Sequence, residues 1–268
     1  MPHPFFALPV PLAIGHRGCA GCVPENTLAS FARGLADGAV VLETDVHLTR
    51  DGVPVLLHDD DVGRVSDGEG PVREWTWSAL CRLDAGYRFT EPDGSASFRG
   101  AGLRIPSLAE ALDAFPDTRF NLELKEPLPG IVERTLAVVR EAGREALTLV
   151  TAAADPLMAR LREAVRATGA EVALGASAGE VARFAVAAMR GETPPAGPMA
   201  LQVPTRFAGQ PLVTEALLDA AHACGVQVHV WTINEPAEIA ALLDLGADGI
   251  VSDFPARVAG AVRERAVA

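Results

Sequence analysis

Short apolar runs with strand character alternate with longer helical patterns along the whole sequence, and this alternation is the strongest constraint on the fold. Parallel strands joined by helices must be covered on both faces, which restricts the chain to a barrel or an open α/β sheet. The predicted strands are residues 12–16, 40–45, 119–124, 147–151, 171–175, 200–203, 226–231 and 249–252. The predicted helices are residues 27–36, 108–115, 130–141, 156–167, 178–189, 214–223, 236–245 and 255–265.

Eight strands, each followed by a helix, predict a TIM (β/α)8 barrel, with a doubly wound open sheet as the alternative. The 268 residues and the 49% hydrophobic content suit one large core, so we expect a single catalytic domain over residues 1–268.

Two interruptions refine this barrel. Asp51 and Gly52 form a turn signal between apolar alternations, which predicts a hairpin after the second strand that places His58 roughly opposite Asp45. Residues 60–105 then lack a clear strand and helix unit. We expect this segment to be a small insertion over the barrel mouth, ordered by the aromatics of W-T-W, with a solvated loop as the alternative.

The charge balance excludes several classes of partner. A net charge of −12 argues against nucleic acid and against an anionic membrane surface, because both need clustered basic residues. The apolar N-terminal segment is rich in proline and has no basic region, so it fails as a signal peptide and is too short for a membrane anchor. We therefore expect a cytoplasmic protein.

Polar residues follow the predicted strands on one side of the barrel mouth, where TIM barrels place their active sites. Glu43 and Asp45 share a face because they are two residues apart in a strand, as do Glu123 and Lys125. Three converging carboxylates indicate one divalent cation, and hard oxygen ligands favour Mg²⁺ or Ca²⁺ over zinc. Ordinary ion pairs with arginines are the alternative explanation.

His16 and His58 each close a predicted strand, so they would flank this metal as a general acid and base. His47 and His229 are read as structural. Arg17 and Lys125, the only lysine in the chain, add positive charge suited to an anionic substrate, and a phosphoryl group is the obvious candidate.

The motifs that carry these residues resemble, in order and over nearly the whole chain, those of the glycerophosphodiester phosphodiesterases. They are G-H-R-G with P-E-N-T, L-E-T-D-V-H-L-T-R-D-G-V-P-V-L-L-H-D, N-L-E-L-K, V-H-V-W-T-I-N and D-G-I-V-S-D-F-P. The resemblance implies a divalent metal held by three acids, two catalytic histidines, and Arg and Lys on the phosphate. It also implies that a glycerol hydroxyl attacks phosphorus, and that the cyclic phosphate is hydrolysed to glycerol 3-phosphate.

Three residues have less definite roles. Glu25 and Asn26 in P-E-N-T are candidates for supporting the metal or the glycerol, with a helix-capping role for this segment as the alternative. Trp231 would offer a face to the glycerol or pack beneath it. The chain reads L-V-T-A-A-A where family members often carry Ser-Phe, which puts the contacts to the alcohol in question.

Cys19 and Cys22 lie between two motifs that already have assignments, and no second cysteine pair completes a zinc site, so we interpret them as bystanders. Two rival functions remain open. One is a related phosphodiesterase acting on lysophospholipids (a lysophospholipase D) or on sphingomyelin, and the other is a non-catalytic barrel that binds glycerol phosphates.

Overall fold

A computed structural model describes residues 3–267 of the chain, and the predicted strands are present in it. The strands are β1 Leu12–His16, β2 Val41–Leu48, β3 Pro54–Leu56, β4 Arg119–Leu124, β5 Thr148–Thr151, β6 Ala173–Leu174, β7 Ala200–Val203, β8 Arg206–Phe207, β9 Gln210–Pro211, β10 Gln227–Val230 and β11 Gly249–Ser252. The sequence missed the β8–β9 hairpin, whose strands have only two residues each.

The eight strands β1, β2, β4, β5, β6, β7, β10 and β11 pair in parallel in the order β6-β5-β4-β2-β1-β11-β10-β7. A backbone hydrogen bond of 2.9 Å from Met199 N to Leu174 O joins the two ends of this order and brings β7 beside β6. The prediction of a TIM barrel is therefore confirmed, and the open doubly wound sheet is excluded.

Helices cover the outside of the barrel. The α-helices are α1 Leu28–Ala36, α2 Trp77–Leu80, α3 Leu108–Ala114, α4 Ile131–Glu141, α5 Asp155–Thr168, α6 Ala178–Arg190, α7 Glu215–Ala223, α8 Pro236–Leu245 and α9 Pro255–Val267. The 3-10 turns are Pro4–Phe6, Val62–Arg64, Val72–Glu74 and Glu145–Leu147. Ser107 and Ser177 begin α3 and α6 with reciprocal capping boxes to Glu110 and Glu180. Among residues 3–267, none of the helices is both long and apolar enough to cross a bilayer.

The barrel interior changes from apolar to polar along the strand direction. Leu12, Ile14 and Val41 pack with Phe5 in a buried cluster at the N-terminal end of the barrel. Since inward-facing residues recur every second position, the same strands present His16 and Glu43 at the other end. The apolar layer thus forms the floor beneath the polar mouth.

The predicted hairpin is formed by β2 and β3, which pair antiparallel with Val46 opposite Leu56. Leu57 N donates to Asp45 O at 3.1 Å, so His58 follows the residue that faces Asp45. The insertion then packs against this hairpin through its own buried cluster, with Trp75 and Trp77 half-buried at the edge. Residues 60–105 contribute none of the described residues that line the mouth cavity.

Candidate active site

One cavity of about 260 Å³ opens at the carboxyl ends of the barrel strands. It brings together the residues that the sequence places in metal binding, acid and base catalysis and substrate binding: His16, Arg17, Glu43, Asp45, His58, Glu123, Lys125 and Trp231. They belong to β1, β2 and β4 and to the loops that follow these strands, β3 and β10. Their convergence is therefore a product of barrel closure.

Three carboxylates form the centre of the charged side. Glu43, Asp45 and Glu123 each offer an oxygen, and these oxygens lie within 4.8 Å of one another. Asp45 and Glu123 are directly opposite in the β2–β4 register. Burial and the neighbouring charge of Asp45 raise the pKa of Glu43 to about 7. Such crowding of buried acids suits a bound cation.

Lys125 and Arg17 partly balance these acids. The Lys125 Nζ lies 2.9 Å from Asp45 Oδ1 and 2.7 Å from Glu123 Oε2, and Arg17 Nε lies 3.4 Å from Asp45 Oδ2. Burial raises the pKa of Asp45, but these two cations outweigh it and hold the pKa below its usual value. Ion pairs with Lys125 and Arg17 therefore balance the negative charge of Asp45. Glu43 accepts a hydrogen bond only from the Arg17 backbone N, at 3.2 Å, among the described side-chain contacts. The oxygen-rich donor set fits a hard divalent cation.

His16 is held by a carboxylate that the sequence analysis did not single out. Its Nδ1 lies 2.6 Å from Asp253 Oδ1, and its Nε2 faces the acid cluster 4.0 Å from Glu43 Oε2. Burial lowers the pKa of His16, but the hydrogen bond to Asp253 and the charge of Glu43 outweigh it and raise the pKa overall. Asn234 Nδ2 donates to Asp253 Oδ2 at 2.7 Å and holds this carboxylate in place.

His58 has the same arrangement on the other side of the mouth. Its Nδ1 lies 2.7 Å from Asp59 Oδ1, and Arg64 Nε donates to the other oxygen of Asp59. The buried His47, read as structural, has its Nε2 3.1 Å from the His58 carbonyl oxygen. Both cavity histidines therefore have an Asp carboxylate at Nδ1, and Nε2 is the ring nitrogen that remains for other contacts.

The P-E-N-T segment supports the site from behind. Asn26 donates to Asp45 Oδ2 at 3.1 Å, which fixes that carboxylate. Glu25 lies outside the cavity lining, where Arg17 and Arg64 both donate to it at 2.7 to 2.8 Å. The alternative capping role is also real, but it belongs to Thr27, whose side chain accepts from Ser30 N at the start of α1.

Other polar residues at the mouth were not predicted from the sequence. Thr151 lines the cavity from β5, Gln202 from β7 and Asn121 from β4. Asp253 directly follows β11, so the rule that singled out the other strand ends would have found it. Gln202 is two residues from the buried Ala200 in the same strand, so strand alternation predicts that it also faces the barrel interior.

Cys19 and Cys22 lie close to Asp37, away from the cavity lining. The Cys19 thiol is buried and donates to Asp37 Oδ2 at 3.5 Å. Burial and the neighbouring Cys22 raise the pKa of Cys19, which disfavours the reactive thiolate. These contacts are typical of cysteines that pack in a loop rather than of reactive ones.

The model of the glycerophosphoryl diester phosphodiesterase family matches residues 16–257. The chain belongs to this family. It is therefore an enzyme that hydrolyses phosphodiesters of glycerol, as the sequence predicts. The chain is 30% identical to the glycerophosphodiester phosphodiesterase of Caldanaerobacter subterraneus, over 94% of this chain and 98% of that protein. It is 26% identical to a lysophospholipase D of Rattus norvegicus, over 91% and 84%.

A solved structure extends the comparison to a ligand. An Oleispira antarctica phosphodiesterase in complex with its product sn-glycerol-3-phosphate is similar to this chain with a TM-score of 0.73 and 26% identity. The match covers 95% of this chain and 97% of that one.

Proposed function

We propose that this phosphodiesterase uses one divalent cation, Mg²⁺ or Ca²⁺, and that His16 and His58 are its acid and base. Glycerophosphodiesters are its substrates, and glycerol 3-phosphate and an alcohol are its products. The observation that carries the proposal is the pair of His–Asp contacts in the cavity that holds three converging carboxylates.

Glu43, Asp45 and Glu123 would hold the cation. When bound, it supplies Lewis acidity that neutralises negative charge on the phosphoryl oxygens. Arg17 and Lys125 line the same cavity, where their positive charges would orient the phosphate. The exposed ring of Trp231 would form a wall for the glycerol.

The proton transfers follow from the histidine geometry. One Nε2 accepts the proton of a free glycerol hydroxyl as that oxygen attacks phosphorus, and the other donates a proton to the departing alcohol oxygen. A cyclic phosphate results. In the second half-reaction the two histidines exchange roles: the now neutral one takes a proton from water, and the now protonated one returns a proton to the glycerol oxygen. Asp253 and Asp59 stabilise each imidazolium as it forms.

The test measures release of glycerol 3-phosphate from glycerophosphocholine, glycerophosphoethanolamine and bis-glycerophosphate. Chelator-stripped protein is assayed alone and with Mg²⁺, Ca²⁺ or Mn²⁺. We expect activity only with added metal. Activity should fall by about 10²-fold to 10⁴-fold in His16→Ala and in His58→Ala. Glu123→Gln should bind the metal more weakly, so that it needs a higher metal concentration for half-maximal activity.

His222→Ala is the matched control, because His222 also contacts an aspartate, Asp248, at 2.9 Å but lies outside the cavity. Full turnover by folded His16→Ala or His58→Ala would contradict the acid and base roles. A substrate methylated on the attacking hydroxyl should not react, and its turnover would contradict the cyclic route.

A lysophospholipid is a second candidate substrate, since the phosphoryl chemistry would be the same. The observation in its favour is an exposed apolar rim: Phe207 in the β8–β9 hairpin is 68% exposed and Trp231 is 44% exposed, on loops that follow the paired strands β7 and β10. Lysophosphatidylcholine in the same assay tests it. Phe207→Ser should impair that substrate and spare glycerophosphocholine.

A further inference from the structure

The part of the cavity wall formed by β5, β6 and β7 is neutral. Strands β5, β6 and β7 and the residues that follow them contribute Thr151, Ala153, Ala176 and Gln202 there. The charged residues come from β1, β2, β4 and the β3 hairpin. This wall therefore suits the uncharged part of a substrate whose phosphate lies against Arg17 and Lys125.

Gln202 is the unusual member of the wall. Its amide Nε2 and Oε1 are both buried, and neither has a hydrogen-bond partner among the described residues. A buried polar group without a hydrogen-bond partner is destabilising, so two in one side chain need a compensating partner. Because the side chain lines the mouth cavity while its amide atoms are covered, a turn of the side chain would bring the amide to a ligand in the cavity that can provide the partner.

Gly175 makes room for this amide. A Cβ added at Gly175 would lie 2.6 Å from Gln202 Oε1 and 2.6 Å from Thr151 Oγ1. The Thr151 hydroxyl is already used, since it donates to the Ala176 carbonyl at 3.2 Å. The Gln202 amide therefore packs against the backbone at Gly175, and neither its NH2 nor its oxygen has a hydrogen-bond partner among the described residues.

The chemistry of the amide points to a hydroxyl group. A carboxamide presents a donor and an acceptor side by side, which complements an alcohol that both accepts and donates. In a glycerophosphodiester the glycerol is constant and the esterified alcohol varies. A buried partner suits the constant part, because the variable alcohol needs an open path to solvent.

We propose that Gln202 is a specificity-determining residue that binds the free terminal hydroxyl of the substrate glycerol. The inference rests on the proposed function, since it takes the phosphate to lie at the acid cluster. A site built to hydrogen-bond a substrate hydroxyl discriminates strongly against an analogue that lacks it, because its own polar groups are then left unpaired.

The test compares kcat/KM for glycerophosphocholine with that for the phosphocholine ester of 1,2-propanediol. This analogue keeps the attacking secondary hydroxyl and lacks the terminal one. The wild type should prefer glycerophosphocholine by about 100-fold, because the analogue leaves a buried donor or acceptor unpaired. Gln202→Met keeps the length of the side chain without the amide, and it should lower kcat/KM for glycerophosphocholine by a similar factor while changing the analogue less than about 3-fold.

Gln202→Leu is the second variant, because it also removes the amide and carries a branched apolar end in place of the straight chain of Met. It should show the same selective loss, and it decides the matter alone if Gln202→Met fails to fold. Equal turnover of both substrates by the wild type, or an equal loss on both in the folded variants, would overturn the role of Gln202 and leave the phosphodiesterase assignment intact. Turnover of neither substrate by the wild type would overturn both proposals.

Discussion

Replacing Asp253 by Asn should reverse the tautomer of His16. The carboxylate accepts from His16 Nδ1 at 2.6 Å through one oxygen and from Asn234 Nδ2 at 2.7 Å through the other. The Asn234 oxygen is occupied, because Ser252 Oγ and the backbone N of residue 253 both donate to it at 3.0 Å. A new amide at position 253 must therefore keep its oxygen towards Asn234 and turn its NH2 towards His16.

An NH2 facing Nδ1 forces the neutral His16 ring to carry its proton on Nε2, where it can no longer accept one. General acid–base catalysis contributes about 10²-fold to 10⁴-fold, so we expect kcat to fall by about 10³-fold in Asp253→Asn. KM should change less than about 3-fold, because Asp253 does not line the cavity. Burial lowers the pKa of His16 and the hydrogen bond to Asp253 raises it, so the variant should also have a lower pKa for this histidine.

Steady-state hydrolysis of glycerophosphocholine at saturating metal measures kcat and KM, and NMR titration of the imidazole measures the pKa. The matched control is Asp248→Asn, which alters an Asp–His contact of 2.9 Å to His222 outside the cavity. We expect it to keep wild-type kcat. If folded Asp253→Asn keeps kcat within about 5-fold of the wild type, the tautomer argument is wrong.

Three further predictions concern Arg64, a buried histidine and the cysteines. Arg64→Ala removes the two hydrogen bonds from Arg64 to Glu25 and the one to Asp59, and leaves Arg17 as a donor to Glu25. We expect kcat/KM to fall about 10-fold with little change in Tm, and an unchanged kcat/KM would show that the Arg64 contacts do not position the site. Burial lowers the pKa of His229 to about 4. As the pH falls from 6.5 towards 4, this histidine therefore binds a proton in the unfolded chain but stays neutral in the folded chain. Stability in urea should then drop by about 3 kcal/mol over that range, and by clearly less in His229→Gln. In thiol titration with an aromatic disulfide, the exposed Cys224 should react with the folded protein and the buried Cys19 only after unfolding; early reaction of Cys19 would contradict its packing.

Strand periodicity accounts for the part of the site that could be predicted. Glu43 and Asp45 are two residues apart in one strand, so a shared inward face follows from local geometry. Barrel topology then brings Glu123 beside them. The same reasoning could have included Asp253, which stands at a strand end like the others.

Contacts between distant parts of the chain were beyond such reasoning. Asp253 reaches His16 across 237 positions, and Arg64 reaches Glu25 across 39 from within an insertion that has no repeating pattern. The expected place of that insertion over the mouth came from its length and aromatics, whereas its packing depends on apolar contacts with the hairpin.

The sequence by itself determined the barrel, its strand ends and the acids, histidines, arginine and lysine that converge there, because hydrophobic periodicity and parallel topology dictate which residues face inward at the mouth. Only the tertiary structure decided which aspartate orients each histidine, which residues brace Arg17, and that the Gln202 amide stays unpartnered over Gly175. The physical reason is that hydrogen bonds between side chains depend on distances of a few tenths of an ångström, which are set by the packing of the whole barrel.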